Sequence, residues 1–340
     1  MKLQALFPIL SFAICTLVAR AAGGELPAYE PRPVAVSKDA SYVQADGSIL
    51  IVGNDGMEPM LAQFNELFSR THPGFKFTLL CKGSSTGIGG LTAGVSALAP
   101  IGRGAWPVEI EPFRRLYGYT PTDIRIGRDG YAAPGRKNPP AVYVNAGNPL
   151  QSLTLAQVAR IFTTGAMGGD LTHWNQVAAG GAERVIHPYG PRDDGGFATA
   201  LRNDFMGDLP FGRRYEALAK SADVLRAVAD DVNGIGIAGY IDAAAVTPNV
   251  RLLALTSGDG SEPALPDYAA VRAGRYPLAP FMHLYVNRTP GQPLDPVVKE
   301  YARLVLSREG QTIIAAMRGS EEGYVPLTVA EVAAELAKLE

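Results

Sequence analysis

Lys76-Phe77-Thr78-Leu79-Leu80-Cys81-Lys82-Gly83-Ser84-Ser85-Thr86-Gly87-Ile88 passes from an extended apolar run through a glycine-rich turn into a helical pattern. Upstream, Ser48-Ile49-Leu50-Ile51-Val52-Gly53-Asn54-Asp55-Gly56-Met57-Glu58-Pro59 does the same. The apolar runs predict buried strands over 48–52 and 76–80. Pro59 suits the first turn of a helix, where a missing N–H is not needed. Met60, Leu61, Phe64, Leu67 and Phe68 recur at helical spacing and give that helix one apolar face, and His72-Pro73-Gly74 ends it. A second helix is expected over 88–94. Strand and helix in alternation imply a three-layer α/β domain with a largely parallel sheet. Ligands of such sheets gather at the C-terminal strand ends, beside helix N-termini.

Both glycine turns fall at that edge. In the second, Gly83 and Gly87 let the backbone turn tightly, and the following helix presents unpaired N–H groups with a partial positive charge. The hydroxyls of Ser84, Ser85 and Thr86 add donors, so the turn can form a neutral cradle for a small anion. Taken alone, the loop favours the plainer reading, an ordinary helix cap.

Working outward, a helix is expected over 108–117 and a strand over 123–127. Ala132 to Pro140 breaks the composition before the extended Ala141 to Asn145, and reads as a crossover to a second lobe. That lobe would hold a helix over 153–163, a strand over 185–189 and the helix after Gly196. A helix over 222–230 and strands over 236–241 and 250–255 complete it. The chain returns near Tyr276-Pro277-Leu278 to an extended run over 282–286 and helices over 296–306 and 310–317. The expected division is 48–138 with 279–340 as lobe 1 and 139–278 as lobe 2. Ahead of these, 22–47 is polar and proline-punctuated, and is expected to be a flexible lead-in. Residues 1–21 form a charge, apolar core and Ala19-Arg20-Ala21 pattern that predicts a secretory signal cleaved after Ala21, hence export to the periplasm.

The formal net charge is −2, and signal removal makes it more negative by two. With no basic tail or aromatic-basic patch, nucleic acid is not an expected partner. The four histidines, His72, His173, His187 and His283, are dispersed, and no hydrolase, zinc or phosphate-loop motif accompanies them. The expectation is a chain that is not an enzyme and needs no cofactor or metal. Signal cleavage removes Cys15 and leaves Cys81, read as a small buried residue at a strand end.

Further motifs run in order along the chain: Gly53-Asn54-Asp55-Gly56-Met57-Glu58-Pro59-Met60, Gly83-Ser84-Ser85-Thr86-Gly87-Ile88, and Asn148-Pro149-Leu150-Gln151-Ser152-Leu153-Thr154. Ile161-Phe162-Thr163, Trp174-Asn175, Gly234 to Tyr240, Leu306 to Gln311 and Gly323 to Leu327 follow. In these motifs the chain, from about Ser48 to Leu327, resembles the phosphate-binding component of ABC-type phosphate importers. The resemblance implies a type II periplasmic-binding-protein fold of two α/β/α lobes joined by two hinge crossovers. It also implies a monomer that holds a small oxyanion, phosphate foremost, and delivers it to an inner-membrane ABC permease. Carried over by position, Ser84 matches a hydroxyl donor, Arg192 the arginine that clamps the anion from the second lobe, and Arg103 an arginine near the end of the next strand. The expected ligand set is Asp55, Gly56, Ser84, Ser85, Thr86, Arg103, Arg192, Gly195 and Gly196.

Two departures qualify that expectation. Where the family has Gly-Ser-Gly-Thr after the clamp arginine, this chain has Gly195-Gly196-Phe197-Ala198. Each lost hydrogen bond to a charged ligand costs about 1.5–3 kcal/mol. Asp55 stands where relatives carry a small or hydroxyl residue. A carboxylate about 4 Å from an anion opposes it by roughly 4 kcal/mol at an effective dielectric near 20. Asp55 either accepts a hydrogen bond from a protonated oxyanion, replacing a family aspartate that is lost near Gly102, or caps the helix before Met57. The departures leave a second expectation open: a divergent member without high-affinity phosphate binding, serving as a sensor or interaction protein or taking another ligand.

Overall fold

The computed structural model describes residues 24–133, 139–178, 181, 183–193, 196–239, 247–258 and 260–340. The expected signal segment, the crossover residues 134–138, Gly195 and the end of the strand expected over 236–241 lie outside the described residues.

Lobe 1 begins with strand β1 (Ile49–Gly53), helix α1 (Glu58–Thr71), strand β2 (Phe77–Cys81) and helix α2 (Ser84–Thr92). Strand β3 (Ala99–Ile101), helix α3 (Pro107–Tyr117) and strand β4 (Thr122–Arg128) follow. The second lobe opens with β5 (Ala141–Asn145), β6 (Ser152–Thr154), α4 (Leu155–Phe162), β7 (His187–Pro191) and α5 (Gly196–Phe205). It continues through β8 (Glu216–Leu218), α6 (Ser221–Asp230), β9 (Gly234–Ala238), β10 (Val250–Leu252), β11 (Ala254–Thr256) and α7 (Tyr268–Arg272). The chain then returns to lobe 1 with β12 (Phe281–Val286), α8 (Pro296–Val305), α9 (Arg308–Ala316), β13 (Val325–Pro326) and α10 (Val329–Ala337).

The sheets are mixed, which corrects the expectation of largely parallel ones. In lobe 1, β1 and β2 pair in parallel, but β13, β4, β12 and β3 form an antiparallel sheet in that order. In lobe 2 the order is β10-β5-β9-β7-β8, with β7 parallel to both neighbours and β5 antiparallel to both of its own. The physical reason is the double crossing. The strands that leave and re-enter each lobe, β4, β5 and β12, run back against strands the alternation had placed side by side.

Each lobe has its own apolar core. Met60, Leu61, Phe64 and Phe68 of α1 are fully buried against Ile124 and Ile126 of β4, Met282 and Leu284 of β12, and Val298 and Tyr301 of α8. At roughly 1.5–3 kcal/mol per fully buried large side chain, this face holds α1 to the sheet. Lobe 2 packs Val158, Ile161 and Phe162 of α4 with Ile235 and Ile237 of β9 and with Trp174.

The polar lead-in is fastened rather than loose, which corrects the flexible segment expected over 22–47. The backbone N–H of Tyr29 donates to Glu309 Oε2 at 2.6 Å, and the Tyr29 hydroxyl to Glu300 Oε1 at 2.9 Å. The N–H of Arg32 also reaches Glu300 Oε1, at 3.0 Å, and the N–H of Arg308 donates to the Pro27 carbonyl at 2.7 Å. Leu26, Tyr29, Val34, Val36, Tyr42 and Val43 rest on the lobe 1 core.

Candidate ligand-binding cleft

The ends of β1 and β2 lie level, Gly53 opposite Cys81, so their turns open on the same edge. Gly83 adopts φ +106°, a conformation that side-chain-bearing residues rarely reach, and α2 begins immediately after it at Ser84. The helix starts four residues earlier than the apolar pattern predicts, so the serines and threonine form its first turn.

Ser84 is the best-positioned group on this wall. Its Oγ accepts hydrogen bonds from Asn54 Nδ2 at 2.8 Å and from the Gly102 N–H at 3.2 Å. A serine hydroxyl has two lone pairs and one proton. With both lone pairs engaged, the proton is left to donate into the cavity that Ser84 lines. Asn54 is itself held, since its Oδ1 accepts from the Met57 N–H at 3.0 Å. That bond satisfies the N–H of Met57, the residue before α1, and no side chain caps the helix; Asp55, one of whose two expected roles was that cap, lines the cavity instead.

The cavity has a volume of about 490 Å³ and lies between the Ser84 wall and helix α5. Of the expected ligand residues, Asp55, Gly56, Ser84, Arg103 and Gly196 line it. Ser85, Thr86 and Arg192 do not. The Thr86 hydroxyl donates to the Gly83 carbonyl at 2.8 Å, which makes it a helix-turn group, and Ser85 Oγ accepts from Arg103 Nη2 at 3.2 Å. Arg192 follows the end of β7 at an exposed position.

Arg103 reaches the cavity already paired. Its Nη1 and Nη2 donate to Glu109 Oε2 and Oε1 at 2.9 and 2.7 Å, and its guanidinium stacks over the Trp106 ring at 3.6 Å. Burial alone would raise the Glu109 pKa. The Arg103 fork and the Trp106 N–H outweigh it and hold the carboxyl below its ordinary value of 4.5. A carboxyl depressed in the folded state lends stability that is complete above its unfolded pKa and is lost as pH falls through the folded one. Glu109→Gln should therefore flatten the acid limb of a melting-temperature profile below about pH 4.5. An unchanged limb would show that the pair lends no pH-dependent stability.

Opposite, α5 presents Phe197, Ala200, Leu201, Asp204 and Phe205 to the cavity. Asp204 reaches across to lobe 1, where the Gly104 N–H lies 3.4 Å from its Oδ2. A Cβ on Gly104 would stand 2.5 Å from Asp204 Oδ1, so a larger residue there would push the carboxylate aside. Asp204 is exposed on the cleft wall. Desolvation raises its pKa above the ordinary carboxylate value, against the opposing pull of the Gly104 N–H and the charges of His283 and Arg103. Among the described residues no group of three or more histidine, cysteine, aspartate or glutamate side chains is arranged to hold a metal ion. Cys81 is a buried free thiol at the end of β2, its pKa pushed up to about 11 first by burial and then by Glu58 and Asp55.

Asn54, Glu109, Phe197 and Asp204 were not among the expected ligand residues. Only the α5 stripe had a local signal, since Phe197, Leu201, Asp204 and Phe205 share one helical face by spacing.

A family model described as a PBP superfamily domain matches residues 40–309. The chain belongs to the PBP superfamily. Within this superfamily it is 29% identical over 332 residues to the phosphate-binding protein PstS of Pseudomonas aeruginosa, covering 96% of each chain. It is 24% identical over 294 residues to Protein SphX of Synechococcus elongatus, covering 86% of this chain and 79% of that one. Among solved structures, PstS from Borrelia burgdorferi superposes with a TM-score of 0.54 at 17% identity, covering 82% of this chain and 98% of that chain. That last likeness concerns the fold, and it agrees with the two-lobed PBP architecture described above.

Proposed function

We propose that the chain is a solute receptor that closes its two lobes around a small oxyanion of the phosphate class and delivers it to an ABC importer of the inner membrane. The observation that carries this reading is the Ser84 hydroxyl, which lines the cleft and accepts from Asn54 and Gly102, leaving its proton to donate to a ligand. The relationship to PstS over nearly the whole chain supports the same ligand class. Binding is a matter of placed donors and lobe closure, with no bond in the ligand made or broken. The periplasm as its location follows from the signal expected over 1–21.

Calorimetric titration with phosphate, and with sulfate as control, tests this. Ser84→Ala should weaken phosphate binding by about 10- to 100-fold, the equivalent of losing one hydrogen bond to a charged group. Equal affinity in variant and parent would overturn the assignment of the Ser84 wall.

A second reading is favoured by the pairing of Arg103 with Glu109 and by the placement of Arg192 away from the cavity. On that reading the protein is a divergent member whose cleft has lost high affinity for bare phosphate and takes another ligand.

A further inference from the structure

Resting on the oxyanion reading of the Ser84 wall, we propose that the ligand is a small zwitterion. It would be a phosphonate or phosphomonoester carrying an ammonium group on a short carbon chain, with its oxyanion at Ser84 and its ammonium at Asp204.

The two walls of the cleft differ in chemistry. On lobe 1, Asn54, Ser84 and Gly102 supply an ordered set of polar groups. On lobe 2, α5 supplies an apolar face of Phe197, Ala200, Leu201 and Phe205, interrupted by one carboxylate. Among the described residues that line the cavity from α5, a bare tetrahedral anion would find no side-chain donor. A carbon chain would be buried there favourably.

The charges are also uneven for a bare anion. Asp55 and Asp204 line the cavity, and neither has an ion-pair partner among the described residues. Arg103 is neutralised by Glu109. At Asp204, an ammonium from the ligand would make a charge-assisted pair with a carboxylate that no described side chain neutralises. The rings of Phe197 and Phe205 on the same face would attract the cation further.

Size and span agree. A cavity of about 490 Å³ falls in the range of clefts that take organic ligands, and one phosphate ion would fill little of it. Ser84 Oγ lies 3.2 Å from the Gly102 N, and Asp204 Oδ2 lies 3.4 Å from the Gly104 N. The Ser84 hydroxyl and the Asp204 carboxylate thus flank the same three-residue stretch, Gly102 to Gly104, as a ligand with a short carbon chain requires.

Calorimetric titrations of the exported chain with aminoethylphosphonate, phosphoethanolamine, ethylphosphonate and inorganic phosphate test the assignment. The two amino compounds should bind at least ~10-fold more tightly than ethylphosphonate or phosphate, as a new charge-assisted pair requires. Asp204→Asn, which keeps the side-chain shape, should remove that margin while leaving ethylphosphonate binding within about twofold. Near-ultraviolet circular dichroism would confirm that the variant is folded. Phosphate or ethylphosphonate binding as tightly as the amino compounds would overturn the zwitterion and leave the oxyanion reading intact. So would an Asp204→Asn variant that loses phosphate itself, because Asp204 would then accept the anion's own proton. If none of the four compounds binds, the oxyanion reading fails and takes this inference with it.

Discussion

Phe68→Ala is expected to lower the free energy of unfolding by about 3–5 kcal/mol, the range for truncating a well-packed buried aromatic ring. Phe68 is fully buried near the end of α1. Its ring stacks on His72 with centroids 4.3 Å apart, and meets Phe75 and Phe77 edge-on at 5.4 Å. Tyr301, reaching from α8, completes the set at 5.7 Å. Tyr301 is itself fixed, since its hydroxyl donates to Asn65 Oδ1 at 2.8 Å. Because these rings come from α1, β2, α8 and the turn between the first two, no single shift can fill the space left behind. Urea denaturation checks the figure, and Phe68→Leu should lose much less. A loss below about 1 kcal/mol for the alanine variant would mean that the cluster relaxes into the gap.

Glu335→Ala should cost about 2–3 kcal/mol, less than the full penalty for breaking a buried ion pair, because its cationic partners are partly open to water. The carboxylate is fully buried on α10. It accepts from the Arg125 N–H at 3.0 Å, from Arg125 Nε at 2.6 Å and from Lys338 Nζ at 2.5 Å. Lys338 also donates to the Asp123 carbonyl at 2.9 Å. These bonds tie α10 to β4, the strand that carries the chain toward the second lobe. Glu335→Gln keeps an acceptor for the amide and should lose less. Thermal and urea unfolding of the two variants would separate lost charge pairing from lost amide satisfaction, and equal losses would assign the whole effect to charge.

The first half of lobe 1 was legible because its signals are local. The apolar runs at 48–52 and 76–80 and the helical spacing of Met60 to Phe68 need no tertiary information. The three-residue strands β3, β6 and β8 carry no period to detect. Strand direction was misjudged because order along the chain does not say which strand turns back at a crossover. The lead-in was misjudged because what holds Tyr29 is Glu309, 280 residues away. In the cleft, Ser84 could be found from a hydroxyl-rich turn after a strand. The pairing of Arg103 with Glu109 could not, since it depends on how the turn into α3 folds back. Asp204 looks like any acid on an amphipathic helix until the lobes are set face to face.

The chain has two tryptophans, and they occupy unlike places. Trp174 is buried in the lobe 2 core with its indole N–H given to the Asn233 carbonyl at 3.2 Å. Trp106 lies on lobe 1 under the Arg103 guanidinium, its ring edge 3.7 Å from where a side chain on Gly196 of the other lobe would begin. The molecule thus carries its own optical gauge. Emission from Trp106 senses the gap between the lobes, while Trp174 supplies a steady internal reference, so cleft movement can be followed without attaching a dye.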